Sequence, residues 1–399
     1  MRILALTTSY PSMEGEAGGN FIRSLVLALK RRGHEIRVIC PGKAGLTGAT
    51  SLDGVDTRFF RYALSGRGHA LTTIEGGIPE AIRRSRLAAL HLPSLVACFA
   101  ASAAASARWA DVIWANWLGA GIAGAIGNVF RRRPMVLTLR GDDAYWIHDR
   151  RVWRTAGRGV FKRCAAVTAV AGNMADLVRD FMPPSAGEVL VPTFGVDTAI
   201  FKPAAREPSQ QRPVAGVFVG NVSYAKGVDV LLRALAKTPG DWRFGFVGSG
   251  PDLAAMRNLA GELRLGERLT WHGRRPTHQV PHLLGEADFL VLPSLSEGRP
   301  NVVLEAMASG LPVIATPVGA VPALIDPPRE GLLVPAGNVD ALADALTLLV
   351  NDANMRADMG RNARARIERE AISWDKTAEE FERIFAAAVA GKRPLPLLP

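Results

Sequence analysis

Residues 292–316 read LPSLSEGRPNVVLEAMASGLPVIAT, and the reading of the whole chain follows from them. The run before them, 287–292, predicts a buried strand, and Val302, Val303, Leu304, Ala306 and Met307 recur at helical spacing after the loop. A second short apolar run, 313–315, follows the helix, giving strand, loop, helix, strand. Glu297 then sits at the carboxyl end of a strand and Glu305 about one turn inside the helix. Open parallel sheets bind ligands at that end. Pro300 suits the first helical turn, where a missing N–H is harmless. The free N–H groups of residues 299–302 (Arg299, Pro300's neighbour Asn301, and Val302) can hold an anion. A phosphate carrying hydroxyls on both sides fits two carboxylates placed this way, since an ionised carboxylate accepts two hydroxyl donors.

Working outward, short apolar runs recur at 3–8, 36–40, 112–117, 135–139, 166–171 and 189–191, separated by stretches of helical patterning. A stretch rich in Pro, Gln and charge, 203–213, reads as a linker, and a second series follows at 214–219, 244–247, 269–272, 289–292, 313–315 and 332–334. The alternation implies α/β architecture, two doubly wound Rossmann-like domains in tandem. At 399 residues and 48% hydrophobic, the chain can support two cores. Glycines stand at strand-to-helix turns in Gly18-Gly19-Asn20, in 220–227 (GNVSYAKG) and in Gly248-Ser249-Gly250. None is the GxGxxG dinucleotide fingerprint, which argues against a nicotinamide enzyme.

The pattern EGxPNxxxEAMAxGxPVIAT resembles the retaining glycosyltransferases of the two-domain GT-B fold, family 4, and the likeness runs along nearly the whole chain. It implies an acceptor-binding domain at 1–202 and a nucleotide-sugar donor domain at 203–373, facing a cleft, with a C-terminal helix at 374–390 packing back on the first. Glu297 would face the donor sugar, and Glu305 would accept hydrogen bonds from the ribose. Lys226 matches a lysine that reaches the donor diphosphate, while Asn221 stands where similar proteins carry arginine, a charge that Arg299 can replace. Gly18, Gly19, Gly220, Gly248, Gly250, Asn301 and Val302 would offer backbone to the donor, and Arg274 lies at the turn where its base is read. Where relatives show His-Gly-x-Asp, this chain has Arg140-Gly141-Asp142-Asp143, and Asn116 replaces another frequent histidine. Arg140 cannot act as a base but can neutralise a departing diphosphate, and Asp142 can hydrogen-bond sugar or acceptor. Neither a metal nor a cofactor is expected. The donor is a UDP- or GDP-sugar, with the base left open.

The net charge of +11 lies in the first half: residues 1–200 hold 25 Lys and Arg against 15 Asp and Glu, the remainder 23 against 22. A cationic first domain points to an anionic or lipid-linked acceptor and to peripheral attachment at a membrane's inner face. No nucleic-acid motif accompanies the charge. From Leu87 to Ala107 there is no charged residue, yet Pro93, His91 and many Ala and Ser favour an Ala-rich helix in or on the domain over a span. No leader is expected at the start, and Cys40, Cys98 and Cys164 show no disulfide or zinc spacing, which suits a reducing cytoplasm. Two rivals remain open: a sugar-nucleotide epimerase or phosphorylase on the same architecture, and a noncatalytic sugar-nucleotide-binding subunit.

Overall fold

The first strands are near-continuous apolar runs because helices cover both faces of the sheet they enter. In the computed structural model, which describes residues 1–16, 18–63, 69–73, 78, 81–82, 85–184, 187–204 and 212–394, the chain divides into two units. Residues 205–211 of the expected linker, Arg83, Arg84 and residues 395–399 lie outside the described residues.

The first unit, 1–193 with 374–399, carries an eight-stranded sheet. Its strands are β1 (Arg2–Leu6), β2 (Glu35–Pro41), β3 (Gly48–Leu52), β4 (Val55–Phe60), β5 (Val112–Asn116), β6 (Met135–Leu139), β7 (Ala166–Ala169) and β8 (Val189–Leu190). The spatial order is β3-β4-β2-β1-β5-β6-β7-β8. All neighbours run parallel except β3 and β4, a hairpin that the sequence reading did not find. β3 is half exposed at the sheet edge, so it lacks an apolar run. Its turn was legible all the same: Asp53 and Gly54 both take positive φ, as a two-residue hairpin turn requires. The C-terminal helix Trp374–Val389 belongs to this unit, seating Phe381 and Phe385 against Trp114 of β5.

The second unit, 194–373, carries β9 (Val214–Val219), β10 (Trp242–Val247), β11 (Leu269–Gly273), β12 (Phe289–Leu292), β13 (Val313–Ala315) and β14 (Gly331–Leu333). Their order is β11-β10-β9-β12-β13-β14, all parallel. Phe218, Phe244, Phe246 and Phe289 fill its core. Residues 194–202, assigned from sequence to the first domain, belong here. Val196 is buried in this core, Phe201 packs on it, and Val196 bridges to Ser373. The composition shift at Pro203 marked the polar stretch, whereas burial of apolar side chains decides membership.

Both sheets reverse direction in the same way. After β1 the chain winds outward through β2 and β4 and returns beside β1 as β5; after β9 it winds through β10 and β11 and returns beside β9 as β12. Each reversal opens a crevice at the carboxyl ends of two adjacent strands, where doubly wound sheets take ligands.

Candidate functional site

In the second unit the crevice lies between β9 and β12, and the loops leaving those strands carry Lys226 and Glu297. Backbone contacts lock these loops together. Leu295 N–H donates to Ala225 O (3.0 Å), Val222 N–H to Ser249 O (3.0 Å), and Ala320 N–H to Gly298 O (2.9 Å). Two glycines make the approach possible. Gly227 is left-handed (φ 64°), and a Cβ there would lie 2.1 Å from Pro293 O; one on Gly248 would lie 1.8 Å from Gly220 O. The N–H of Gly220 donates to Val247 O and that of Gly248 to Gly273 O, both at 2.9 Å. These glycines shape the loops, and their N–H groups are engaged by the sheet. Gly250 sits against Val222 O and the Asn221 amide, and Arg274 is exposed just past β11.

Within this frame Lys226 Nζ meets Glu297 Oε1 at 2.6 Å, and Ser294 Oγ donates to the same oxygen at 2.7 Å. The Glu297 side chain is only 8% exposed, so the carboxylate is fixed by two donors on one oxygen. The helix Asn301–Ala308 begins one residue later than the sequence suggested. Pro300, with ψ 108°, is the extended residue before it and not a member of its first turn. The correction leaves the helix start intact: among the described residues, the Asn301 and Val302 N–H groups have no hydrogen-bond acceptor. Arg299 donates through Nη2 to Phe194 O and lies 5.7 Å over the Phe194 ring. Its Nη1 is buried with no acceptor among the described residues, and desolvation lowers its pKa to about 10, still cationic at neutral pH. Glu305, in the helix's second turn, is partly buried with no donor to its carboxylate among the described residues. Desolvation pushes its pKa up to about 7.

The first unit's crevice lies between β1 and β5. Gly19, left-handed, caps the helix Asn20–Arg31, and Gly18 lies exposed beside Ser9. Arg140, just past β6, is held from several sides: Nε and Nη2 both donate to Asn116 Oδ1 (3.0 and 2.6 Å), and its guanidinium lies 5.0 Å over Phe21. Such a forked, stacked cation is rigid. The two aspartates that follow part company. Asp142 is exposed at the helix start, whereas Asp143 is buried and accepts N–H groups from Arg140, Gly141, Ala144 and Leu118 at 2.9–3.2 Å. Burial pushes the Asp143 carboxyl above the usual carboxylate range, against the pull of those four donors.

Two residues here exceeded the sequence reading. Asn116 was legible only as a replaced histidine, and its service to Arg140 depends on two strands meeting, for which no local signal exists. Asp143 had a signal, an acid at a helix start just after a strand, but its neighbour Asp142 carries the same one. Among the described residues no three His, Cys, Asp or Glu gather as a metal site.

Residues 17–193 match the family described as glycosyl transferase 4-like domain, and residues 203–366 match glycosyl transferases group 1. The putative teichuronic acid biosynthesis glycosyltransferase TuaC of Bacillus subtilis is 28% identical over 87% of this chain and 88% of its own length. A D-inositol 3-phosphate glycosyltransferase of Corynebacterium aurimucosum is 31% identical over 57% of this chain; the match spans only 58% of that relative's length. Among solved structures, Anabaena Alr3699/HepE in complex with UDP-glucose shares the fold at TM-score 0.73 and 20% identity, over 97% of this chain and 100% of that one. With two Rossmann-like sheets and these two domain matches, the chain is a glycosyltransferase of the GT-B type.

Proposed function

We propose that this transferase moves a hexose, with retention, from a nucleoside diphosphate sugar to a lipid-linked or membrane-associated acceptor, in the manner of family 4. One observation carries the donor half. Beside the β9/β12 crevice, among the described residues, a buried guanidinium N–H lacks an acceptor, two helix-start N–H groups have none, and a partly buried carboxylate lacks a donor. A nucleoside diphosphate supplies all three partners: phosphate oxygens for Arg299, Asn301 and Val302, and ribose hydroxyls for Glu305. Lys226 and Glu297 then divide the work, the lysine turning to the diphosphate and the glutamate to the sugar.

The transfer itself breaks the bond from the anomeric carbon to the phosphate oxygen and forms one to the acceptor oxygen on the same face. The acceptor's proton passes to the departing phosphate oxygen, so no strong enzymic base is required. Arg140, held rigid, supplies fixed positive charge for an anion, and the exposed Asp142 is free to hydrogen-bond a sugar or acceptor hydroxyl. Lys226, Arg299 and the helix start provide charge that would otherwise come from a metal, so the reaction is proposed to need neither metal nor cofactor. The cationic first unit is the basis for an anionic or lipid-linked acceptor at the inner face of a membrane.

The testing experiment is a thermal-shift screen of nucleoside diphosphates and their sugars. A ligand at about 100 Kd should stabilise by roughly 2.7 kcal/mol. A wild-type response that Arg299→Met abolishes is expected; no response to any nucleotide would remove the proposal.

A further inference from the structure

We propose that the outer face of two neighbouring helices in the first unit docks flat on an anionic lipid bilayer. The segment Arg86–Ala107, a short 3₁₀ turn leading into the helix Leu92–Ala107, buries Leu95, Phe99, Ala103 and Ala107 against the sheet. Past Arg86, what it turns outward carries no charge: Leu87 and Leu90, each 73% exposed, then Ala97, Ala101 and Ala105 at helical spacing. Beside it runs the helix Trp117–Gly127, seated through Gly127 on Ala100 and Ala103. Its outer end adds Ile126, Val129 and Phe130, and Phe130 is 94% exposed.

That phenyl ring stands on a well-built turn. Asn128 closes the turn by donating through Nδ2 to Arg133 O (2.7 Å) and accepting the Arg133 N–H (2.9 Å), while Arg132 N–H returns to Asn128 O (2.8 Å). An apolar surface presented by ordered backbone marks a site that is covered by something.

The charges around it identify the cover. Arg86, Arg108, Arg131 and Arg132 rim the face, all exposed, and none has an ion-pair partner among the described residues. The one acid between positions 86 and 133, Asp111, is tied to Arg2. An apolar centre with a rim that is cationic among the described residues complements acyl chains beneath anionic headgroups. A second copy of this chain would instead bring arginines against arginines. The inference deepens the acceptor reading, on which it rests for its purpose: a transferase lying on the bilayer meets a lipid-linked acceptor by diffusion in two dimensions.

The test is co-sedimentation of the full chain with phosphatidylcholine vesicles, with or without phosphatidylglycerol. Wild-type protein should partition onto the anionic vesicles and far less onto the neutral ones. Replacing both Arg131→Glu and Arg132→Glu should lower that partition by roughly 25-fold or more, given each basic side chain's contribution at an anionic surface. Phe130→Ser should lower it several-fold with the melting temperature unchanged. Absence of binding to anionic vesicles, partition indifferent to these substitutions, or self-association in solution that Phe130→Ser abolishes would each overturn the proposal. The nucleotide thermal shift should be the same in every variant, so failed donor binding would count against the donor site alone.

Discussion

The two crevices are built on one topological plan and differ in what they leave unsatisfied. At the β1/β5 crevice the charged groups answer their neighbours: Asn116 holds Arg140, and Asp143 gathers four backbone N–H groups, while the buried Tyr10 hydroxyl past β1 has no partner among the described residues. At the β9/β12 crevice, Arg299 Nη1 and the Glu305 carboxylate have no partner among the described residues. Unmet hydrogen bonds at a buried position are costly, and a buried cation and a carboxylate left unmet beside one helix start are groups that a ligand can complete. The comparison therefore assigns the first crevice's buried acid to architecture and the second crevice's to binding.

The largest test of that division is Glu297→Gln. With Glu297 in its proposed role, a fixed carboxylate facing the donor sugar should be worth about 10³ in kcat, near 4 kcal/mol, with donor affinity little changed. An unchanged kcat would move the chemistry elsewhere. Next in size is Asp143→Ala, which strands the N–H groups of Leu118, Arg140 and Gly141, that of Ala144 keeping Gly141 O, and should lower unfolding stability by about 3 kcal/mol, read from the denaturant midpoint. Should it instead leave stability intact and abolish turnover, the two crevices would be alike in kind. Arg140→Ala should depress kcat by about 2 kcal/mol, and Arg140→Lys should recover little of it, because lysine offers no fork for Asn116.

The smallest effect is also the sharpest. Glu305→Ala should raise the donor KM by about tenfold. In the wild type the Glu305 carboxyl ionises near 7 in the folded protein against a reference of 4.5, so the folded state holds its proton to higher pH. Stability should fall as pH rises through that window. The ribose hydroxyls proposed as its ligands would bind the ionised form, so donor affinity should climb from pH 6 to 8, measured by titration calorimetry; Glu305→Gln should flatten the climb. Affinity that falls with pH in the wild type would contradict the assignment.

Much of this was legible from residues 287–316 because the elements there are short, apolar and buried on both sides. β9, β12, β13 and the helix Trp374–Val389 occur where the spacing placed them. The edge hairpin β3–β4 escaped because solvent on one side permits polar residues, leaving only the Asp53-Gly54 turn as a clue. Pro300 was placed a residue too deep, since its fixed φ suits both the residue before a helix and its first turn. The pairing of Arg140 with Asn116 links residues 24 positions apart on adjacent strands, a distance that no local pattern spans.

The packing of carbonyl oxygen onto bare α-carbon at Gly227 and Gly248 also limits how this enzyme could drift toward another donor. Side chains there would push whole strands apart, so a randomised library should return glycine at both positions. Diversity should collect instead at Asn221 and Arg274, whose side chains can change while the scaffold stays put. New sugar or base preferences in this lineage would then arise by swapping decorations on an unyielding cradle.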